Sequence, residues 1–179
     1  MARASRGGDD RVIPPDAGDG APARPGPPPL RPFGLVLHHD GRWSHEGQPI
    51  LHRPLREHFD RSVVYLPDER KFVVTLRHFR GEIEVQEAGF FVRELDLERG
   101  TVRLSDGSEE ELRPDGLHLS PIDGALLCRI RPDQCPPNGL LARFSHASHA
   151  ELLQAVEPAA GGGLLLRIAG GTVSIPDLD

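Results

Sequence analysis

The sequence has 179 residues and a mass of 19.6 kDa, which suits one ordinary domain or two small ones and excludes a large multidomain enzyme. Its formal net charge is -6 and its sequence pI is about 5.8, so bulk charge does not favour a general surface for duplex nucleic acid. Glycine and proline are abundant, with 20 and 18 residues, and their distribution divides the chain.

The first 32 residues hold eight of the prolines and five of the glycines, with few sizeable apolar side chains. Such a segment cannot bury enough apolar surface to offset the entropy lost on ordering. We therefore expect residues 1–32 to be a disordered tail. After it we expect an N-terminal α+β unit over residues 33–94 and a C-terminal β-rich unit with one helix over residues 95–179.

Residues 33–94 alternate short apolar runs with turn residues, which indicates hairpins and one short helix. We predict a hairpin in residues 35–45 with a two-residue turn at Asp40-Gly41, because this pair tolerates the positive φ of a type I′ turn. Pro54 suits the first turn of a helix over residues 53–59. A second hairpin joins residues 62–66 to 72–76, and residues 82–86 alternate strictly, as in a half-buried strand.

The remaining strands read as a meander, and a helix follows them. The predicted strands cover residues 90–97, 101–104, 109–112 and 126–130. A helix is predicted over residues 145–156, capped by Ser145 or by a capping box beginning at Ser148. Residues 164–168 and 172–175 form a closing hairpin. These elements predict an α+β fold that is dominated by β-structure.

Two features bear on the compartment. The amino terminus lacks the apolar stretch of a signal peptide, and no apolar run approaches the roughly 18 residues of a membrane span. Cys128 and Cys135 lack a second cysteine pair that would complete a zinc site, and we interpret them as thiols, with a disulfide as the alternative. We expect a cytoplasmic protein that does not contact membranes.

Charge is distributed unevenly along the chain. Residues 51–80 carry seven Arg or Lys against four Asp or Glu, whereas residues 81–123 carry four against twelve. Two interpretations fit this contrast. The charged residues are the solvated edges of different strands, or they form an electrostatic contact between two lobes or two protomers.

The stretch from Asp40 to Ile50 reads D-G-R-W-S-H-E-G-Q-P-I, and it resembles the opening of a bacterial family known only as domain of unknown function twelve eighty-five, DUF1285. That family shows a D-G-x-W-x-x-x-G-x-P-I stretch followed by an arginine and a short apolar helix, places that Arg53 and residues 55–59 take here. The resemblance covers roughly residues 35–176. It implies an α/β roll followed by a β roll, with two short helices, in a bacterial cytoplasmic protein. It implies no activity.

The sequence holds nine histidines, and several fall near the first predicted hairpin. With a two-residue turn, His38 lies opposite Trp43, and His45 shares their face. His38 and His45 could then ligate one metal ion if His78 supplied a third nitrogen. The alternative is that Trp43 marks a packed face whose histidines form ordinary hydrogen bonds.

Two functions remain open at this point. The first is a non-enzymatic module that binds a small ligand or a partner protein in a cleft between the two units, with Trp43, Arg53 and Arg77 as ligand-binding residues. The second is a metal sensor or metal-dependent enzyme that uses the histidine cluster. Nucleic acid is not the expected partner, although a single-strand site remains conceivable on the arginines of the basic segment, which are Arg53, Arg56, Arg61, Arg77 and Arg80. The cofactor is unknown, and a homodimer is left open.

Overall fold

The computed structural model describes residues 30–76 and 79–176. Most of the predicted disordered tail lies outside the described residues, and so do Arg77 and His78. The last residues of that predicted tail lead into the first strand.

The first part of the chain forms a six-stranded sheet and one helix. In chain order the elements are β1 (Arg31–Leu37), β2 (Trp43–His45), β3 (Gln48–Pro49), α1 (Arg53–Ser62), β4 (Val63–Leu66), β5 (Lys71–Leu76) and β6 (Phe79–Val85). The spatial order is β3-β2-β1-β6-β5-β4, in which the central pair β1–β6 is parallel and the other pairs are antiparallel.

A second six-stranded sheet follows. Its elements are β7 (Phe90–Asp96), β8 (Thr101–Leu104), β9 (Glu109–Glu111), a 3-10 turn (Pro114–Gly116), β10 (His118–Leu119), β11 (Leu126–Ile130) and β12 (Leu140–Phe144). The spatial order is β10-β11-β12-β7-β8-β9, and again the central pair, β12–β7, is parallel. The predicted boundary between residues 94 and 95 falls inside β7, so the division into two domains stays a prediction.

The two sheets repeat one topology. Each consists of two three-stranded meanders, and in each the first strand of the first meander pairs in parallel with the last strand of the second. Helix α1 connects the two meanders in the first sheet, and the 3-10 turn connects them in the second. The fold is therefore two β-rich units with two short α-helices, as the sequence predicts.

Helix α2 (His146–Gln154) and a three-stranded antiparallel sheet end the described chain. The strands of this sheet are β13 (Val156–Pro158), β14 (Leu164–Ile168) and β15 (Gly171–Ile175). Ser145 caps α2, since its Oγ accepts a hydrogen bond from the amide of Ser148. Trp43, Phe90, Leu152 and other buried residues of all three sheets and both helices pack into one apolar cluster. Neither α-helix of the described chain is long and apolar enough to span a membrane.

The first hairpin differs from its prediction by one residue. The amide of Gly41 donates to the carbonyl of His38 at 2.9 Å, and Gly41 has a φ of 81°, so the loop has three residues and its glycine takes the left-handed position. Leu37 therefore faces Trp43, and Leu35 faces His45. A shift of one residue moves side chains to the other face of a sheet. The prediction that His38 shares a face with Trp43 is therefore wrong, whereas Trp43 and His45 share one as predicted.

The predicted meander in the second unit is confirmed for β7, β8 and β9, which are neighbours in the sheet, but it does not continue into β11. Strand β12 lies between β11 and β7 in the centre of the sheet, at a place where no strand is predicted from the sequence. Four of its five residues are buried, because a central strand is covered on both faces and shows no alternation of apolar and polar residues. Because apolar and polar residues do not alternate in β12, the sequence pattern does not predict this strand.

Two arginines of the second sheet are fully engaged by protein groups. Arg143 on β12 forms ion pairs with Glu87, in the link between the sheets, and with Asp123. Arg131 lies 2.9 Å from Glu110, is also paired with Asp106, and its Cζ atom lies 4.3 Å from the ring centroid of Phe90. Their contacts connect strands that are distant in sequence.

Both cysteines are free thiols. Cys128 is buried in β11, and desolvation raises the pKa of its thiol to about 12. The neighbouring arginines do not offset this burial, so Cys128 is a core residue rather than a nucleophile.

Candidate anion-binding pocket

A pocket of about 560 Å³ lies between helix α1 and strands β7 and β8. It is formed by both units, since α1 belongs to the first sheet's connection and the strands belong to the second sheet. Charged side chains line both walls. The lining residues are Arg53, Arg56, Glu57, Asp60 and Arg61 on the helix, Arg93, Glu94, Arg103, Leu104 and Ser105 on the sheet side, and Gly41 and Gly107 in the adjoining turns.

The helix wall follows from the spacing of its charged residues. Residues 53, 56, 57, 60 and 61 are separated by three or one positions, which places them on one face of an α-helix. The core-facing side carries Phe59, which is buried with its ring centroid 5.3 Å from that of Trp43. At the start of the helix, Nδ1 of His52 accepts a hydrogen bond from the amide of Leu55. The aromatic contact and the cap fix the charged face toward the second sheet.

A β-bulge forms the sheet wall. The register between β7 and β8 shifts between Val92 and Glu94, so Arg93 is the extra residue. A bulge lets two consecutive side chains lie on the same side of a strand. Arg93 and Glu94 are accordingly both exposed, whereas Val92 and Leu95 on either side are buried.

Asp60 connects the two walls. Its Oδ1 accepts a hydrogen bond from Trp43 Nε1 at 2.8 Å, and its Oδ2 accepts one from Arg93 at 2.7 Å. The Arg93 guanidinium also lies 5.6 Å from the ring centroid of Phe91. In this pair the acid, Asp60, comes from the basic segment of residues 51–80, and the arginine, Arg93, comes from the acidic segment of residues 81–123. The two segments therefore do not form one basic face and one acidic face.

Three of the five arginines in the pocket have carboxylate partners. Arg53 pairs with Glu57 at 2.7 Å, Arg103 with Glu94 at 3.1 Å, and Arg93 with Asp60. Each carboxylate of the lining thus meets a guanidinium. The pocket nevertheless holds five arginines against three carboxylates, an excess of positive charge in a protein whose net charge is -6.

The excess resides on Arg56 and Arg61. Within residues 30–76 and 79–176, neither of these two side chains forms an ion pair. The Nε atom of Arg56 is buried and has no hydrogen-bond partner. An unpaired buried donor costs about 1–3 kcal/mol, and the cost is larger when the group is charged. A ligand that drew the Arg56 side chain toward the pocket and supplied an acceptor to this atom would recover the cost.

The field of the arginines acts on Glu57. A hydrogen bond from Arg53 lowers the pKa of the Glu57 carboxyl, and the charges of Arg53, Arg61 and Arg56 lower it further. The same contact raises the pKa of Arg53. Glu57 therefore stays ionised well into acid, and it accepts hydrogen bonds instead of serving as a proton donor.

The predicted ligand-binding residues have different positions. Arg53 lines the pocket. Trp43 is only 1 % exposed and holds Asp60 from beneath, so it positions a lining residue without lining the pocket itself. Arg77 lies outside the described residues.

The predicted metal ligands are not brought together by the hairpin. His38 donates to or accepts from Ser44 Oγ at 2.8 Å, on the face opposite to Trp43, whereas His45 is exposed on the other face. His78 lies outside the described residues. Among the residues that the structure describes, no group of three or more His, Cys, Asp or Glu side chains could hold a metal ion. The three-histidine set stays a prediction.

The sequence holds a signal for only one wall of the pocket. Arg56 and Arg61 belong to a cluster of basic residues that the sequence shows, and helical spacing places them beside Arg53. Arg93 and Arg103 carry no such signal, because their position depends on a bulge and on the pairing of β7 with β8.

Together the fold and the pocket define a class of protein: two β-sheets of the same topology, with an arginine-lined pocket between helix α1 and the second sheet. Two solved structures are similar to the chain. A DUF1285 family protein from Silicibacter pomeroyi DSS-3 is 19% identical, with a TM-score of 0.57, over 83% of this chain and 82% of that chain. A DUF1285 family protein from Shewanella baltica OS155 is 14% identical, with a TM-score of 0.43, over 69% and 91%.

The first of these likenesses shows that the chain has the fold of a DUF1285 family protein, which confirms the resemblance expected from the sequence. No protein-family model and no curated protein matches the sequence. The fold by itself does not define a function. The residues of the pocket must therefore carry any functional argument.

Proposed function

We propose that the protein is a non-enzymatic binding module that holds a small anionic ligand in the pocket between α1 and the second sheet. The observation that carries this proposal is the buried Nε of Arg56, which has no acceptor among the described residues. Arg61 lies on the same wall and forms no ion pair within the described part of the chain. Guanidinium groups bind carboxylate and phosphate oxygens through paired hydrogen bonds, so two unengaged arginines in one pocket favour an anion.

The carboxylates of the pocket support a binding role over an enzymatic one. Glu57 and Glu94 are each paired with an arginine, and Asp60 is held by both Trp43 and Arg93. A general base needs a free lone pair directed at a proton of the substrate. These three groups are engaged as acceptors within the protein, where they orient the arginines.

The pocket also has the dimensions of a small-molecule site. Its volume of about 560 Å³ lies within the range of about 300–1,000 Å³ that is typical of such sites. Leu104 adds an apolar contact to the polar lining. The cytoplasm is the compartment that we propose, and the free thiols of Cys128 and Cys135 support it, since reducing compartments keep cysteines unpaired.

The proposal is tested by calorimetric titration of the full chain with pyrophosphate and with citrate as probe anions. We expect saturable binding of at least one probe with a stoichiometry of one. The substitution Arg56→Gln should weaken that binding by about tenfold or more, which corresponds to the loss of a charge-assisted hydrogen bond.

The matched control is Arg167→Gln. It removes the same charge from an exposed arginine of β14 that pairs with Glu157, far along the chain from the pocket. We expect it to change the affinity by less than about twofold. Absence of binding by both probes, or an equal loss in the two variants, would contradict the proposal.

A further inference from the structure

We infer that the ligand of this pocket carries a phosphoryl group, as a phosphate ester or anhydride of a small molecule, and not carboxylates alone. The inference rests on the proposed function, because it names the chemical class of the anion that the pocket takes. Three observations support it: the positions of the arginines on the two walls, the ion pairs that the carboxylates of the pocket form, and the positive charge that these ion pairs do not neutralise.

The arginines approach the pocket from two sides. Arg56 and Arg61 project from helix α1, whereas Arg93 and Arg103 project from the bulged strand β7 and from β8. A carboxylate is planar, with two oxygens that suit the fork of one coplanar guanidinium. The terminal oxygens of a phosphoryl group point in three directions, so they can accept hydrogen bonds from Arg56 and Arg61 together while another oxygen faces the sheet wall.

The three carboxylates of the pocket show which arginines are already paired within the protein. Glu57 engages Arg53 and Glu94 engages Arg103, each within its own wall. Only Asp60 reaches across from the helix to Arg93, and it needs Trp43 as a second anchor. None of these carboxylates forms an ion pair with Arg56 or Arg61, so both guanidinium groups are left for a ligand.

The charge that remains matches a phosphate. Two arginines of the pocket have no ion-pair partner in the described chain, while three are neutralised. A phosphate monoester carries a charge of about −1.5 to −2 near pH 7. One phosphoryl group therefore neutralises Arg56 and Arg61 together, and the volume of about 560 Å³ leaves room for an organic body beside Leu104.

The experiment compares phenyl phosphate with phthalate, two aromatic dianions of similar size, by calorimetric titration of the full chain at pH 7.5. We expect phenyl phosphate to bind at least about tenfold more tightly than phthalate. Arg56→Gln and Arg61→Gln should each weaken phenyl phosphate about tenfold or more, whereas Arg167→Gln should change its affinity by less than about twofold. Circular dichroism of each variant establishes that it is folded.

The outcomes separate the inference from the function on which it rests. Phthalate binding as tightly as phenyl phosphate, with the same dependence on Arg56, would overturn the phosphoryl assignment and leave an anion-binding pocket. If pyrophosphate, citrate and both aromatic probes all fail to bind, the proposed function fails as well. If a single-stranded oligonucleotide binds more than about tenfold more tightly than phenyl phosphate and loses this affinity in Arg56→Gln, the ligand is a polymer, and the small-molecule assignment is overturned.

Discussion

Arg143 and Arg56 carry the same guanidinium group, and both lie where elements of the first and second sheets come together. Arg143 has ion-pair partners within the protein, whereas Arg56 has none in the described chain. Arg143 is 8% exposed and meets Glu87 and Asp123. Arg56 has a buried Nε with no acceptor in the described chain and forms no ion pair there.

The difference separates two uses of a buried charge. A buried arginine that is surrounded by carboxylates connects strands, and breaking its contacts leaves an unpaired charge in the interior. A half-buried arginine whose Nε is buried without an acceptor adds nothing comparable to the fold, and the cost of that atom persists unless a ligand supplies the acceptor. Substitutions at the two positions should therefore have opposite consequences for stability and for binding.

The largest expected effect is that of Arg143→Gln on stability. The substitution leaves Glu87, whose side chain is only 6% exposed, without its cation. We expect a loss of about 3–5 kcal/mol in the free energy of unfolding. Urea-induced unfolding at pH 7 measures this loss.

Arg167→Gln is the control for that substitution, since Arg167 belongs to an exposed pair with Glu157. It should change the free energy of unfolding by less than about 1 kcal/mol. Comparable losses in both variants would show that Arg143 is no more important to the fold than a surface arginine.

A smaller loss is expected at Asp60. Asp60→Ala removes the acceptor of Trp43 Nε1, which lies on a ring that is 1 % exposed, and should cost about 1–3 kcal/mol. Asp60→Asn keeps an oxygen for Trp43 and loses only the charge that faces Arg93, so it should cost less. Thermal or urea unfolding of the two variants measures the difference. Equal losses would mean that the ion pair with Arg93, and not the buried indole, is the main contribution.

One effect of pH is expected in acid. The hydrogen bond from Arg143 lowers the pKa of Asp123 from 3.8 to about 2. A carboxyl whose pKa is lower in the folded state contributes stability above its unfolded pKa and loses that contribution as pH falls through its folded pKa. Stability should therefore decline between about pH 4 and pH 2, and Asp123→Asn should flatten this part of the profile of urea midpoint against pH. An unchanged slope in the variant would assign the acid sensitivity to other carboxyls.

The smallest effect on stability is expected in the pocket. Arg61→Gln removes a side chain without an ion pair in the described chain, so the free energy of unfolding should change by less than about 0.5 kcal/mol. The same experiment as for Arg143→Gln measures it. A loss above about 2 kcal/mol would place Arg61 among the structural arginines.

Much of the fold could be predicted from local patterns. Turn residues and alternation predict the hairpin of β4 and β5, the strands β7 and β8, and helix α1, because these features depend on neighbours in sequence. The parallel pairings of β1 with β6 and of β12 with β7 join distant segments and leave no local signal. The sequence predicts a series of hairpins, and these two parallel pairings join the hairpins into two sheets of the same topology.

The site was predictable to a smaller extent. Arg53 and Trp43 are both predicted from the sequence as ligand-binding residues. Arg53 lines the pocket, whereas Trp43 is buried beneath the pocket. The predicted proximity of His38 and His45 depended on a turn of two residues, and the extra loop residue places them on opposite faces. Arg93 reaches the pocket because it is the extra residue of a bulge, and no pattern in the sequence of the strand indicates that bulge.

Anion binding by Arg56 can be observed directly through the Nε–Hε NMR signals of the arginines in the ¹⁵N-labelled full chain, with and without saturating pyrophosphate. The Arg56 signal is assigned from its absence in Arg56→Gln. We predict that pyrophosphate shifts the Arg56 signal strongly and leaves that of Arg131, whose Nε already donates to Glu110, unchanged. An Arg56 signal that does not move while pyrophosphate is bound would contradict the proposed function.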